Sequence, residues 1–327
     1  MQLISLGIDI SKATFDVALF RDGSYQSGQF TNNKAGFNKL LHWLDKRNAT
    51  GCHVCLEATG RYGDALALFL YEAGYLVSIV NPARIKAYAD SHLQRNKTDS
   101  EDAKIIAHFC ATQNLALWTP PPPEVEELKM LVRRLESLKT MRTQEINRRK
   151  SGISSDVVLA DIAEHLAFLE TQIKQLENQI KNLIDNHPNL KQQRDLLISI
   201  KGIGDTTAAK FLAEVSDVQQ FDSADELAAY AGVTPRRKSS GTSVRGKGHL
   251  SKIGNVRLRT ALYMPALSAM RTNPIIRIFA ERLKLKGKLS KVIIGAVMRK
   301  LIHLAFGVLK HGKPFDPNYL QNLQVTP

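Results

Sequence analysis

A chain of 327 residues, 43% of them apolar, has room for two domains with cores of their own. No unbroken apolar run reaches the ~20 residues that cross a bilayer, the first ten residues read as a core strand without a basic leader, and three cysteines make no disulfide framework. These features argue against a membrane or secreted protein and lead us to expect a cytoplasmic one. The net charge of +14 is concentrated: residues 188–327 carry 23 Lys and Arg against 9 Asp and Glu, whereas 1–119 carry 12 against 11 and 120–187 carry 10 against 11. From Leu227 to Ala280 there are ten basic residues and no acidic one. A solvated face mixes signs, so this stretch is the footprint expected of a polyanion binder.

In chain order, Leu3–Ile10 and Thr14–Phe20 read as strands joined by a turn at Ser11–Ala13, with a third strand at Ser27–Phe30. Gly36–Leu44 has helical spacing, and Cys52–Glu57 is a short apolar run, hence a buried strand. Cys52 and Cys55 have CxxC spacing, but zinc wants four ligands and no second pair exists, so they read as small core residues. After the break Ala58-Thr59-Gly60 come a helix over Ala65–Ala73, a strand at Tyr75–Val80, a helix opened by Pro82 and a helix from Asp99 to about Gln113 capped by Thr98. Strands followed by alternating strands and helices predict an α/β domain with a mixed sheet over residues 1–119.

The stiff run Pro120–Pro123 marks a boundary. Beyond it, Glu124–Arg149 and Leu159–Leu183 read as long helices; the second has Leu159, Ile162, Leu166, Leu169, Ile173, Leu176, Ile180 and Leu183 alternating three and four apart. That heptad stripe predicts a coiled coil over residues 120–187, folding back as a hairpin or, the reading preferred here, pairing two copies. Residues 188–327 read as all-α. Gly202 and Gly204 form a tight turn before an apolar-periodic helix, a helix-hairpin-helix-like arrangement whose backbone N–H groups, with Lys201 beside them, suit a phosphate. Helices follow at Ala224–Ala231, Asn255–Met270, Pro274–Lys284 and Lys291–Leu309. Tyr230, Tyr263 and Phe279 could stack on bases, but at helical spacing among Leu and Ala they read as core, as do Trp43 and Trp118.

Four carboxylates stand out in the first domain. Asp9 and Glu57 end apolar strands, and Asp99 and Asp102, three apart, share one face of a helix start. Acids on apolar strands are expensive unless paired or bound to metal, and this set suits Mg²⁺ in phosphoryl transfer. Asp16 and Asp64 read as surface. A second cluster, Arg236-Arg237-Lys238-Ser239-Ser240-Gly241-Thr242-Ser243-Val244-Arg245-Gly246, sets hydroxyls among cations in a glycine-punctuated loop, with Lys247, Lys252, Arg257 and Arg259 close behind. The residues alone favour gripping a phosphate backbone over a nucleophilic serine. His249 in the same loop suits a phosphate contact as well as general-acid work.

The order Gly-Ile-Asp9, Leu-Glu57-Ala-Thr-Gly and Asn-Lys-Thr-Asp99-Ser-Glu-Asp102, followed by Gly202-Ile-Gly204, Ala231-Gly-Val-Thr-Pro-Arg-Arg-Lys-Ser-Ser-Gly and Arg259-Thr-Ala-Leu-Tyr-Met-Pro265, resembles the Asp-Glu-Asp-Asp transposases of the IS110 family over nearly the whole chain. The resemblance implies an RNase H-like, RuvC-like first domain whose tetrad holds Mg²⁺. It implies a nucleophilic serine immediately before the loop glycine, Ser240 here, with Ser239 adjacent and Ser243 a third choice. It also implies site-specific recombination between donor and target double-stranded DNA, guidance by a structured bridge RNA, and a dimer assembling to a tetramer in which one subunit's carboxylates face another's serine. The competing expectation is a junction nuclease in which the tetrad alone is catalytic; a bare architectural binder is a third.

Overall fold

The computed structural model describes residues 4–58, 60–91, 99–236, 239–240, 244–245 and 249–318, with backbone alone at 99, 239, 240, 244 and 245. The chain divides into two compact units, Met1–Pro120 and Pro121–Pro327.

In the first unit, β1 (Ser5–Ile10), β2 (Thr14–Arg21) and β3 (Ser24–Thr31) form an antiparallel meander, and β4 (His53–Glu57) and β5 (Leu76–Val80) add in parallel beside β1, giving the order β3-β2-β1-β4-β5. This mixed five-stranded sheet fits the RNase H-like expectation. β3 is twice the length read from the sequence because Ser24–Ser27 pairs with β2 through backbone bonds that need no apolar side chains. Alternation along the strands separates two faces. One face carries Leu6, Ile8, Val17, Leu19, Val54 and Leu56 and is covered by α1 (Lys34–Asp45), capped by the Asn33 side chain, and α2 (Asp64–Glu72), through Phe37, Leu40, Leu44, Leu66 and Leu70. The other face is small where α4 (Asp99–Thr112) crosses it, with Ser5, Gly7 and Ala18 meeting Ala103 and Ala107. Farther along, Cys55 and Val80 pack with Ile85 of α3 (Pro82–Ser91) and with Ile106, Phe109 and Cys110. Thr59 and Thr98, expected at the break and as the cap of α4, lie outside the described residues.

All three cysteines are buried. Burial pushes the Cys52 thiol up to about 12. The hydrogen bond with Cys55, and then burial, raise that of Cys110. Thiols held protonated are poor metal ligands and nucleophiles, and the burial of Cys52 and Cys55 is in keeping with core packing for the CxxC pair.

The second unit is helical apart from one ribbon. Within it α5 (Pro123–Arg149) and α6 (Asp156–Asn186) lie antiparallel, with ion pairs Lys139–Glu177 (2.7 Å) and Arg142–Glu170 (3.2 Å) across the seam. Ile162, Leu166, Leu169, Ile173 and Ile180 are buried inside this single chain. The stripe expected to pair two copies is therefore covered by α5 of the same chain. Leu128, Val132, Leu135 and Leu138 of α5 join one core with α7 (Pro188–Ile198), α8 (Asp205–Glu214), α9 (Ala224–Tyr230), α10 (Val256–Ala261), α11 (Tyr263–Thr272), α12 (Pro274–Leu285) and α13 (Ser290–His311). By length and mean hydropathy α13 could cross a membrane, but half of its apolar window is buried in this core and Arg299 and Lys300 interrupt it.

Two expectations need correction here. Asn255–Met270 is two helices, not one, broken at Leu262: Pro265 lacks the N–H that would bond back along the helix, and its ring crowds the carbonyl four residues earlier. And the unit is not all-α. Among its described residues the basic loop has two short antiparallel pairs, β6 (Pro235–Arg236) with β9 (His249–Leu250) and β7 (Ser239–Ser240) with β8 (Val244–Arg245), together termed the ribbon. Val, Ser and Arg around a Gly-Thr-Ser tip suit a hairpin better than a helix.

Because a Cβ at Gly7 would overlap the Ala103 carbonyl and the Ala107 N–H, Gly7→Val is expected to lower unfolding stability by about 1–3 kcal/mol, read from urea midpoints.

Candidate active site and nucleic-acid interface

Strand register and helix direction place the acidic residues. Ile8 of β1 is level with Leu56 of β4, so one step on Asp9 is level with Glu57, at the ends of adjacent parallel strands. Both share the face of Gly7 and Cys55, the face covered by α4. The Ser5 hydroxyl donates to the Ala107 carbonyl (2.9 Å) while Gly7 abuts Ala103, so α4 runs antiparallel to β1. Its first turn, with Asp99 and Asp102, lies at the sheet end that carries Asp9 and Glu57. Ile106 packs in one cluster with Cys55; a helical turn earlier than Ile106 is Asp102, two strand residues beyond Cys55 is Glu57, and the two steps are nearly equal in length. Asp102 is half-buried, and the Asp99 side chain is outside the described set.

One neighbour was misjudged from the sequence. Asp16 is directly opposite Asp9 in the β1–β2 pair and so shares its face and level. Its carboxylate accepts from Gln29 Nε2 at 3.1 and 3.3 Å, Gln29 being its opposite residue on β3. The tight turn at 11–13 fixes this register, and with it a signal that could have found Asp16. Asp64, in the first turn of α2, is exposed as expected.

This donor set is all oxygen, the kind that suits Mg²⁺. Among the described residues no three His, Cys, Asp or Glu side chains stand close enough together to hold an ion. Register and helix direction put the backbones of Asp9, Glu57 and Asp102 at one end of one face.

In the second unit, Ser240 ends β7 opposite Val244, with Ser239 beside it; both are described by backbone alone. Arg237, Lys238, Ser243 and Lys247 lie outside the described residues, and Arg245 is described by backbone only. Arg236, Lys252 and Lys201 are exposed. Arg257 instead pairs with Glu136 (2.8 Å), and Arg259 donates to the Ala231 carbonyl (3.2 Å) beneath Gly232. Both thus brace the ribbon's base. Of the two turn glycines, Gly202 has a positive φ and abuts Ala269 of α11, so its need is packing. Gly204 is open and caps α8, whose first turn already carries the acidic Asp205. Phe279 packs against the core as expected, but Tyr230 and Tyr263 are exposed; Tyr230 meets Phe221 edge-on and donates to the Glu214 carbonyl (3.0 Å).

The base of the ribbon is held by a network that the sequence did not announce. The Glu214 carboxylate, 6% exposed, accepts from Arg133 of α5 at 3.2 and 3.3 Å and from Asn255 Nδ2 at 2.8 Å. The Asn255 Oδ1 caps α10 (3.0 Å from Leu258 N), and the Asn255 N–H donates to the Tyr230 carbonyl (2.6 Å). Gly254 lies so close to that carbonyl that no side chain fits. The Glu214 carboxylate thus joins the long helix α5 to Asn255, beyond the ribbon, while its backbone carbonyl holds Tyr230 of α9, ahead of it. Removing the carboxylate strands Arg133 and Asn255, so Glu214→Ala is expected to cost about 3 kcal/mol of stability, measured by denaturant titration, with Glu214→Gln costing less.

The profile of a family described as "Transposase" matches residues 6–155, and that of the "Transposase IS116/IS110/IS902 family" matches residues 194–281. The chain is 36% identical over 314 residues to a pilin gene-inverting protein of Moraxella bovis, covering 95% of this chain and 97% of that one. It is 27% identical over 293 residues to the transposase of insertion sequence element IS1111A of Coxiella burnetii, covering 81% and 78%. It is 34% identical over 161 residues to an uncharacterized 43.6 kDa protein of insertion element IS110 of Streptomyces coelicolor, covering 49% and 38%.

Proposed function

This chain belongs to the IS116/IS110/IS902 transposase family, and on that premise we propose that it breaks and rejoins double-stranded DNA with a carboxylate tetrad, Asp9, Glu57, Asp99 and Asp102, and a serine nucleophile, Ser240. The observation that carries the reading is the level placement of Asp9 and Glu57 at the end of the sheet where α4 begins with Asp99 and Asp102. Magnesium held there would neutralise charge on the scissile phosphate and its leaving oxygen. The chain's own residues supply the rest. Asp9 and Glu57, on rigid strands, fix half of the ligand set, and α4 sets the other half at a distance governed by its contact with Gly7. The Ser240 oxygen bonds to phosphorus as the bridging sugar oxygen leaves. Attack by a sugar hydroxyl of the new partner strand then reforms the diester and releases the serine. The cations of the ribbon, Arg236, Arg237, Lys238, Arg245 and Lys247, with Lys252 and Lys201, hold the backbone and stabilise charge on the phosphate.

The rest of the reading follows the family resemblance. A structured RNA chooses donor and target by base pairing, which frees the protein from encoding sequence. Dimers assemble to a tetramer with carboxylates and serine shared between subunits. The protein acts in the cytoplasm, on the nucleoid. Inversion of a DNA segment, the act named in the Moraxella relative, and insertion need the same breakage and joining.

A serine recombinase leaves a protein–DNA adduct that survives a denaturing gel. The expected result is an adduct in the wild type and none in Ser240→Ala. Free cut ends from both proteins would instead support the junction-nuclease reading. Asp102→Asn is expected to abolish cleavage while binding persists, and mixing it with Ser240→Ala restores cleavage if subunits share sites. Retained activity without the carboxylates or Mg²⁺ would leave only an architectural binder. With ~6–10 phosphates contacted, affinity for duplex DNA should fall by ~10³–10⁵ between 50 and 200 mM salt, measured by fluorescence anisotropy.

A further inference from the structure

The ribbon is not the only cationic surface of the second unit. From Arg282 to Phe315 there is no acidic residue, and Glu281 is the single one between Leu227 and Phe315. Arg277, Arg282, Lys284, Lys286, Lys288 and Lys291 are all exposed, and among the described residues none has a carboxylate partner. They surround the corner between α12 and α13. That corner is fixed by its backbone. Gly287 has φ +68°, its N–H donates to the Lys284 carbonyl (2.9 Å), and the Lys288 N–H donates to the Leu283 carbonyl (3.1 Å). This paired closure satisfies the last carbonyls of α12. On its far side the N–H groups of Val292 and Ile293 both return to the Leu289 carbonyl.

Two leucines stand out from this rigid corner: Leu285 is 89% exposed and Leu289 is 76% exposed. Ile278, two turns before Leu285 on the same helix, and Val292, one turn into α13, are exposed as well. Neither leucine serves the core of the unit, which α12 meets through Ile276, Phe279, Ala280 and Leu283. Lysines alone would make a solvated tip. Bare leucines between lysines form a different surface, apolar at the point and cationic around it. A second copy of this corner would be repelled by the same charges. The first unit, with 12 basic and 11 acidic residues over 1–119, offers no net charge to match. A polyanion that accepts an apolar side chain does match: duplex DNA, whose base steps part to admit leucine wedges while cations hold the flanking phosphates.

We propose that the α12–α13 corner is a second DNA contact, in which Leu285 and Leu289 wedge a base step from the minor groove and Lys284, Lys286, Lys288 and Lys291 hold the phosphates to either side. The wedge kinks the duplex and unstacks the step. This site deepens the recombinase reading, since a kinked, unstacked step is one whose strand is easier to part and exchange, and it needs neither the carboxylates nor Ser240.

The test uses the full chain and a duplex of about 40 base pairs, labelled at both ends for energy transfer, with single-stranded RNA and anionic phospholipid vesicles as competing probes. A wedge of this kind bends DNA by about 20–90°, so wild type should bring the ends together. Leu285→Ser/Leu289→Ser should keep affinity within about threefold yet lose the bend. Replacing the four lysines by alanine should weaken binding and lower the slope of log affinity on log salt by about 3–4. Both changes sit on exposed side chains, and an unchanged circular dichroism melt confirms that each variant is folded. Asp102→Asn and Ser240→Ala should bend DNA like the wild type. Cleavage retained in both of these variants, or absent from the wild type, with the bend intact would therefore count against the recombinase reading and not against the wedge. A double-serine variant that bends like wild type would overturn the proposal. So would a corner whose changes affect only RNA or vesicle binding.

Discussion

The first unit depends on how closely α4 approaches the sheet. Gly7 has no side chain, Ser5 and Ala18 have small ones, and Ala103 and Ala107 face them from the helix. The Ser5 hydroxyl closes the gap with a bond to the Ala107 carbonyl. A helix seated that tightly cannot slide or tilt without collision, because interiors are close-packed. Its first turn is therefore held at the strand ends that carry Asp9 and Glu57. Asp9 and Asp16 are directly opposite each other on β1 and β2, and like charges in that position weaken a sheet. The opposing face, filled by Leu6, Ile8, Val17, Leu40, Leu44 and Leu66, supplies the burial that lets the sheet tolerate it.

The second unit solves a different problem, holding a polar, cationic ribbon on a helical body. Its strands are two residues each, too little to stand alone. The base is where it is anchored, by Glu214, Arg133, Tyr230 and Asn255 and by the close backbone approaches at Gly232 and Gly254. Arg257 and Arg259, adjacent to the ribbon and basic, belong to this anchor through Glu136 and the Ala231 carbonyl. Charge near a nucleic-acid surface thus divides between cations that brace the fold and cations left to solvent.

Much of this was legible in the sequence. The apolar runs of β1, β4 and β5 and the Pro82 helix start are strong local signals, and their bounds agree with the structure to within a residue or two. The strand-end acids were visible because a charge closing an apolar strand is costly. What escaped had non-local causes. Asp16 read as surface because alternation alone does not say which face is functional; that follows from its pairing with Asp9. The α6 stripe looked like a dimer seam because a heptad pattern is blind to whether the covering helix comes from the same chain. The break at Leu262 was hidden by continuous apolar spacing, although Pro265 was there to be weighed. The ribbon was missed because two-residue strands have no periodicity to detect, and Glu214 because an acid inside an apolar helix shows its worth only through Arg133 and Asn255.

The central claim is that α4 and the two strand ends make one binding site for a divalent ion. Manganese, whose free aqueous form gives an electron-spin resonance signal that is lost on binding, reports this without any DNA. The account predicts that the full chain quenches the signal, that Glu57→Gln and Asp9→Asn do not, and that Asp64→Asn, at the start of α2, quenches it as the wild type does. Equal quenching by wild type and Glu57→Gln would contradict it.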